Sequence, residues 1–135
     1  MYTLIAKWYI QADDNDNDND KAKAVLQALR ELAAQVEAQE PDTWMYLVHT
    51  GNQEGSTPPP APGEVVFVEA YKDFNALLQH VNGKLFQTFV SQYGADFVPE
   101  MVPNKGPFLL VEGLARLAGF VRPQAAESTA KVTVH

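Results

Sequence analysis

Between Lys21 and Gln39 the apolar residues Ala22, Val25, Leu26, Leu29, Leu32, Ala33 and Val36 recur at intervals of three and four, which puts all of them on one side of a helix. A helix with a single apolar stripe is not stable alone in water and needs an apolar surface to lie on. The flanking segments offer one. Residues 2–11, Tyr-Thr-Leu-Ile-Ala-Lys-Trp-Tyr-Ile-Gln, are rich in aromatic and β-branched types and alternate as a strand with one buried face does. Pro41 stops the helix, and Thr43 to Thr50 reads as a second strand with bulky residues on both faces.

The segment from Gly51 to Gly63 carries Gly-Asn, Gly-Ser and the run Pro58, Pro59, Pro60, so it is a stiff extended connection between strands. Glu64 to Tyr71 is the third strand, and Asp73 is a good cap for the helix after it. Phe74, Leu77, Leu78 and Val81 keep helical spacing, Asn82-Gly83 interrupts it, and Leu85, Phe86, Phe89, Val90 and Tyr93 resume it before Gly94. This predicts a short helix, a break and a longer helix. Pro99 to Pro107 reads as loop, Phe108 to Val121 as a final strand kinked at Gly113 or Gly119, and residues 123–135 as a polar tail. The order is βαββαβ, an α+β arrangement with an antiparallel sheet and two helices on one face, in a single domain over residues 1–122. The helices leave the other sheet face bare although it carries large apolar side chains, and a second copy of the chain is the simplest cover for it.

Composition narrows the chemistry. The 135 residues include no cysteine, which removes disulfides, thiolate nucleophiles and cysteine-held metals. The net charge of −7 is concentrated in Asp13, Asp14, Asp16, Asp18 and Asp20; elsewhere ten basic residues nearly balance the remaining acids, and no basic patch suits phosphates. Nucleic acid and membrane surfaces are therefore not expected partners. The start of the chain has no secretory signal and no segment has the ~20 apolar residues of a membrane span, so a cytoplasmic location is the expectation. The Asp/Asn run places oxygen ligands at alternate positions as a calcium loop does, but it lacks the glycine at the sixth position and the glutamate at the twelfth, and it reads as solvated loop.

The three histidines, His49, His80 and His135, show no metal-ligand spacing. His80 stands at the helix break, where a side chain reaches a cleft as a proton donor or acceptor. Trp8, Trp44, Tyr46, Phe67 and Tyr71 place rings on three strands, with Phe86 on the helix beyond, and these are the candidates to line a pocket for a flat organic molecule. Tyr71 and Trp8 stand out because a buried hydroxyl or indole N–H needs a polar partner. No Ser-His-Asp pattern or glycine-rich phosphate loop is present, which leaves hydrolysis and phosphoryl transfer without support.

Several short runs resemble the antibiotic biosynthesis monooxygenase-like group of the dimeric α+β barrel superfamily: the helix end Glu37-Ala38-Gln39-Glu40-Pro41-Asp42, the strand Thr43 to Thr50, the stretch Val68-Glu69-Ala70-Tyr71-Lys72-Asp73, and Ala76-Leu77-Leu78-Gln79-His80. The resemblance covers about residues 2–95. It implies a ferredoxin-like fold, a homodimer joined through the sheet faces, and a pocket between sheet and helices in each chain. It also implies, as in some relatives, oxidation of a small aromatic or quinol-like molecule by oxygen with no metal or flavin, His80 or Tyr71 assisting proton removal. A dimeric binding or sensing protein without catalysis is the alternative on the same fold. Asp42 in place of the group's usual glycine, Tyr71 where tryptophan is common, and the proline-rich insert at 51–63 are departures from its pattern.

Overall fold

The computed structural model describes residues 1–12, 20–98 and 110–122. Its elements are β1 (Tyr2–Ile10), α1 (Asp20–Gln39), β2 (Thr43–Thr50), β3 (Glu64–Tyr71), α2 (Phe74–Asn82), α3 (Lys84–Tyr93), the two-residue β4 (Phe97–Val98) and β5 (Leu110–Leu114). The strands form one antiparallel sheet in the order β2-β3-β1-β4, and β5 also pairs with β1. This is the α+β, ferredoxin-like arrangement that the order of the segments predicts.

The last strand departs from the expectation. The edge of β1 opposite β3 is shared by two short strands: β4 pairs with Tyr9 and Ile10, and β5 with Thr3 through Lys7. Strand structure ends at Leu114, so the run expected to continue to Val121 does not. Two glycines stand in this stretch. Gly113 lies against Tyr2, where a Cβ would stand 2.2 Å from the phenolic oxygen, so this strand residue has to be small; Gly119 has φ +120°, a conformation no strand residue with a side chain adopts. The Asp/Asn run at 13–19, the predicted loop at 99–107 and the tail at 123–135 lie outside the described residues.

Alternation along the strands sorts side chains onto two faces. Leu4, Ala6, Trp8 and Ile10 of β1 and Val65, Phe67, Glu69 and Tyr71 of β3 turn toward the helices and are buried. Val25, Ala28, Leu29, Leu32 and Val36 of α1 pack onto them, each fully buried Leu or Val contributing roughly 1.5–3 kcal/mol. In β2 the register against β3 shifts by one residue between Thr43 and Met45, a bulge with Trp44 as the extra residue. As a result Tyr46 faces Glu69 and Val48 faces Phe67 across the strands, on the helix side of the sheet. The opposite face carries Ile5, Leu47 and Val68 in register, half-buried, with Lys7, His49 and Glu64 around them.

Asp73 caps α2 by accepting the Ala76 N–H at 2.8 Å. The helix stops at Gly83, in extended conformation, and α3 begins at once, with the Gln87 side chain donating to the Val81 carbonyl at 2.7 Å to hold the break. His80 is thereby fixed in the last turn of α2, pointing into the core.

Candidate functional site

His80 is 3% exposed and lies among rings: Tyr46 at 5.2 Å between centroids, Phe86 at 5.4 Å and Tyr71 at 5.6 Å. Its Nδ1 is 2.6 Å from Oε1 of Glu40, the residue that follows α1. The same oxygen of Glu40 accepts the Thr43 hydroxyl at 3.2 Å, and the backbone N–H of Thr43 donates to the Glu40 carbonyl at 3.0 Å, so the turn around Pro41 holds the carboxylate in place. With Nδ1 engaged by a carboxylate, Nε2 is the nitrogen left to meet a bound molecule.

A second carboxyl group lies on the other side. Glu69 is 6% exposed on the apolar face of β3, and the Tyr71 hydroxyl donates to its Oε1. Burial pushes the Glu69 carboxyl above its ordinary range, while the Tyr71 hydrogen bond and the nearby His80 pull it back. The phenols follow the same logic. Tyr71 is pushed up by burial and by the Glu69 charge, and Tyr46 by burial and by the charges of Glu69 and Glu40, so both keep their protons at neutral pH.

These groups meet at a cavity of about 80 Å³ lined by Leu4, Ala6, Trp8, Tyr46, Glu69, Leu77, His80, Val81, Phe86 and Val111. Of the residues expected to form a site, His80, Trp8, Tyr46 and Phe86 line it. Tyr71 stands behind the lining, on Glu69, and Phe67 packs beneath, 4.2 Å from Trp8 and 6.1 Å from Tyr46 between centroids. Trp44 is not brought to the site: as the bulge residue it is 56% exposed. Glu40 and Glu69 are members that reading the sequence for sites overlooks. Glu69 could have been found as the one acid among the inward positions 65, 67, 69 and 71, whereas Glu40 meets His80 from 40 residues away and only the fold reveals it.

A wider crevice of about 340 Å³ lies at the other end of the sheet, between α1 and the proline-rich connection. Its acid, Glu64, faces Lys7 at 4.0 Å, and among the described residues no histidine or tyrosine lines it. Among the described residues no group of three or more His, Asp or Glu side chains is arranged to hold a metal ion, and no helix is long and apolar enough to cross a membrane.

Comparison with known proteins places the fold. A crystal structure of an antibiotic biosynthesis monooxygenase superposes with TM-score 0.62 at 23% identity, over 87% of this chain and all of that one. PA3566 from Pseudomonas aeruginosa matches with TM-score 0.57 at 23% identity over 87% of this chain and 94% of its own. Rv0793 from Mycobacterium tuberculosis matches with TM-score 0.57 at 20% identity over 87% and 96%. No curated protein matches the sequence. The family model for antibiotic biosynthesis monooxygenases matches residues 1–92, a span that contains β1, both carboxylates and His80, and the chain belongs to that family.

Proposed function

We propose that this chain oxidises a small aromatic or quinol-like molecule with oxygen and without a bound cofactor, in the cavity beside His80. The observation that carries the proposal is the Glu40–His80 contact at 2.6 Å: it orients an imidazole whose free nitrogen meets a space walled by aromatic and aliphatic side chains. In this reading Nε2 of His80 takes the hydroxyl proton of the quinol, and Glu40 stabilises the imidazolium that forms. The anion left in the apolar cavity has little water to stabilise it and is the electron donor to oxygen. Tyr71, its own proton held firmly, assists by fixing Glu69.

A homodimer joined through the bare sheet face belongs to the same proposal. Its support is the half-buried centre of Ile5, Leu47 and Val68, surrounded by charged and polar side chains as interaction patches often are.

The test is oxygen uptake with hydroquinone, a single-ring quinol, under air and with no added metal or flavin. Uptake above the autoxidation rate that falls by about 10²-fold or more in His80→Ala is the expected result, in line with the contribution of a positioned base. Binding of the quinol without uptake would sink the oxygenase reading and favour the binding or sensing protein.

A further inference from the structure

Three titratable groups line the small cavity, His80, Glu69 and Tyr46, and the first two are of opposite kinds. His80 has Nδ1 on Glu40, which leaves Nε2 as the nitrogen able to accept a proton, and the residue lines the cavity. Glu69 is buried, carries the Tyr71 hydroxyl on one oxygen, and is pushed by its burial toward the protonated acid. The other ionisable groups around the pair are Tyr46 and Tyr71, both held neutral, and Glu40, whose side chain is partly exposed. A base and an acid facing one desolvated space are the two parts needed to enolise a carbonyl compound.

We infer that this cavity also catalyses, without oxygen, the enolisation of small neutral ketones and hydroxyketones, with His80 as the base and Glu69 as the acid. The inference rests on the role of His80 as a base in the reading above, and adds a second catalytic residue and a substrate class. Nε2 of His80 takes a proton from the carbon next to the carbonyl; that C–H bond breaks, an N–H bond forms, and the electron pair moves through carbon to the carbonyl oxygen. The carboxylic acid of Glu69 gives its proton to that oxygen and the product is the enol. Imidazolium and carboxylate are left behind, and proton transfer between them, direct or through a water, restores both. No electron acceptor is consumed.

Size and charge set the substrate class. The cavity, at about 80 Å³, is smaller than the ~150 Å³ engineered cavity that admits benzene, which limits the part of a substrate inside it to a few heavy atoms around the reacting centre, the rest of any ring lying in the opening beside the half-exposed Val111. The Glu69 carboxyl in its lining, with the Glu40 carboxylate behind His80, disfavours an anion.

The probes are cyclohexanone and dihydroxyacetone in buffered D2O under nitrogen, with proton NMR following loss of the α-proton signal as deuterium returns to carbon. Exchange by the wild-type protein is expected at about 10²-fold above buffer alone, the scale of general acid–base catalysis. Glu69→Gln, which keeps the shape and an acceptor for the Tyr71 hydroxyl, should lose at least about tenfold of it, and His80→Asn should fall to the buffer rate. Thermal unfolding checks that each variant folds; should His80→Asn fail, Glu69→Gln decides alone. Exchange no faster than buffer, or exchange that survives Glu69→Gln, overturns the inference. Oxygen uptake with hydroquinone is read on the same preparations. Uptake without exchange overturns enolisation and leaves the oxygenase reading standing; exchange without uptake supports enolisation while removing that reading.

Discussion

At Glu69 the fold holds a carboxyl group that water would ionise. Its pKa is raised in the folded chain above the ordinary value of 4.5, so over the window above pH 4.5 the folded state binds more protons than the unfolded one. The stability this group contributes is fully present below pH 4.5 and is lost as pH rises through the folded value, at about 1.4 kcal/mol for each unit of displacement. Glu69→Gln should flatten that decline, which denaturant titrations of both proteins from pH 4 to 9 would show; parallel curves would mean that Glu69 ionises as freely as in the unfolded chain. Tyr46 and Tyr71 act in the same direction at higher pH. Their folded values lie above 10, so their phenolates should form only together with global unfolding in an alkaline titration followed by tyrosinate absorbance and circular dichroism. Part of this site is legible from residue types: His80 at a helix break and rings at inward positions of strands are local signals. The Glu40–His80 contact is not, because it depends on where two elements distant in sequence come to rest.

At the scale of elements, α1, β1 and β3 follow from periodicity, since each buries one regular face. The fourth strand position does not. It is filled by two short pieces that pair with different halves of β1, and no local pattern says which half each will take. Gly113 shows the fit this demands. The Tyr2 ring lies against β5 and packs, tilted, on Phe74 at 5.3 Å between centroids, occupying the space a side chain at 113 would need. Gly113→Ala should destabilise the chain by about 1–3 kcal/mol, as overpacking does. Adding Tyr2→Phe should recover part of the loss, because the closest clash is with the hydroxyl, and a double-mutant cycle measures the coupling. If the two losses simply add, the contact is not what constrains position 113.

For the whole molecule, exposure is uneven. Leu117 is 99% exposed and Phe120 76%, beyond the last strand, while the centre of the outer sheet face is only half-covered. If two chains join through that face, Leu47→Glu places a charge at its centre and should give a monomer under conditions where the wild type sediments as a dimer. A wild type that sediments as a monomer throughout would remove the homodimer from the proposal. The rim of that face carries both signs, at Lys7 and Glu64.

The bulge at Trp44 takes up one residue of β2 without changing its parity. Trp44 is skipped in the register, so Met45 and Tyr46 keep the faces they would have if Met45 followed Thr43 directly, and Tyr46 still meets His80. Removing Trp44 would leave Thr43, Met45 and Tyr46 opposite Tyr71, Ala70 and Glu69 in regular alternation with Tyr46 still inward, whereas losing one residue from the regular pairing beyond Tyr46 would turn the side chains after it to the other face. Drift at this point of the chain is therefore free in spelling and tolerant of one lost residue: related sequences should accept almost any residue at 44, or none, and a single-residue gap here should leave Tyr46 on His80.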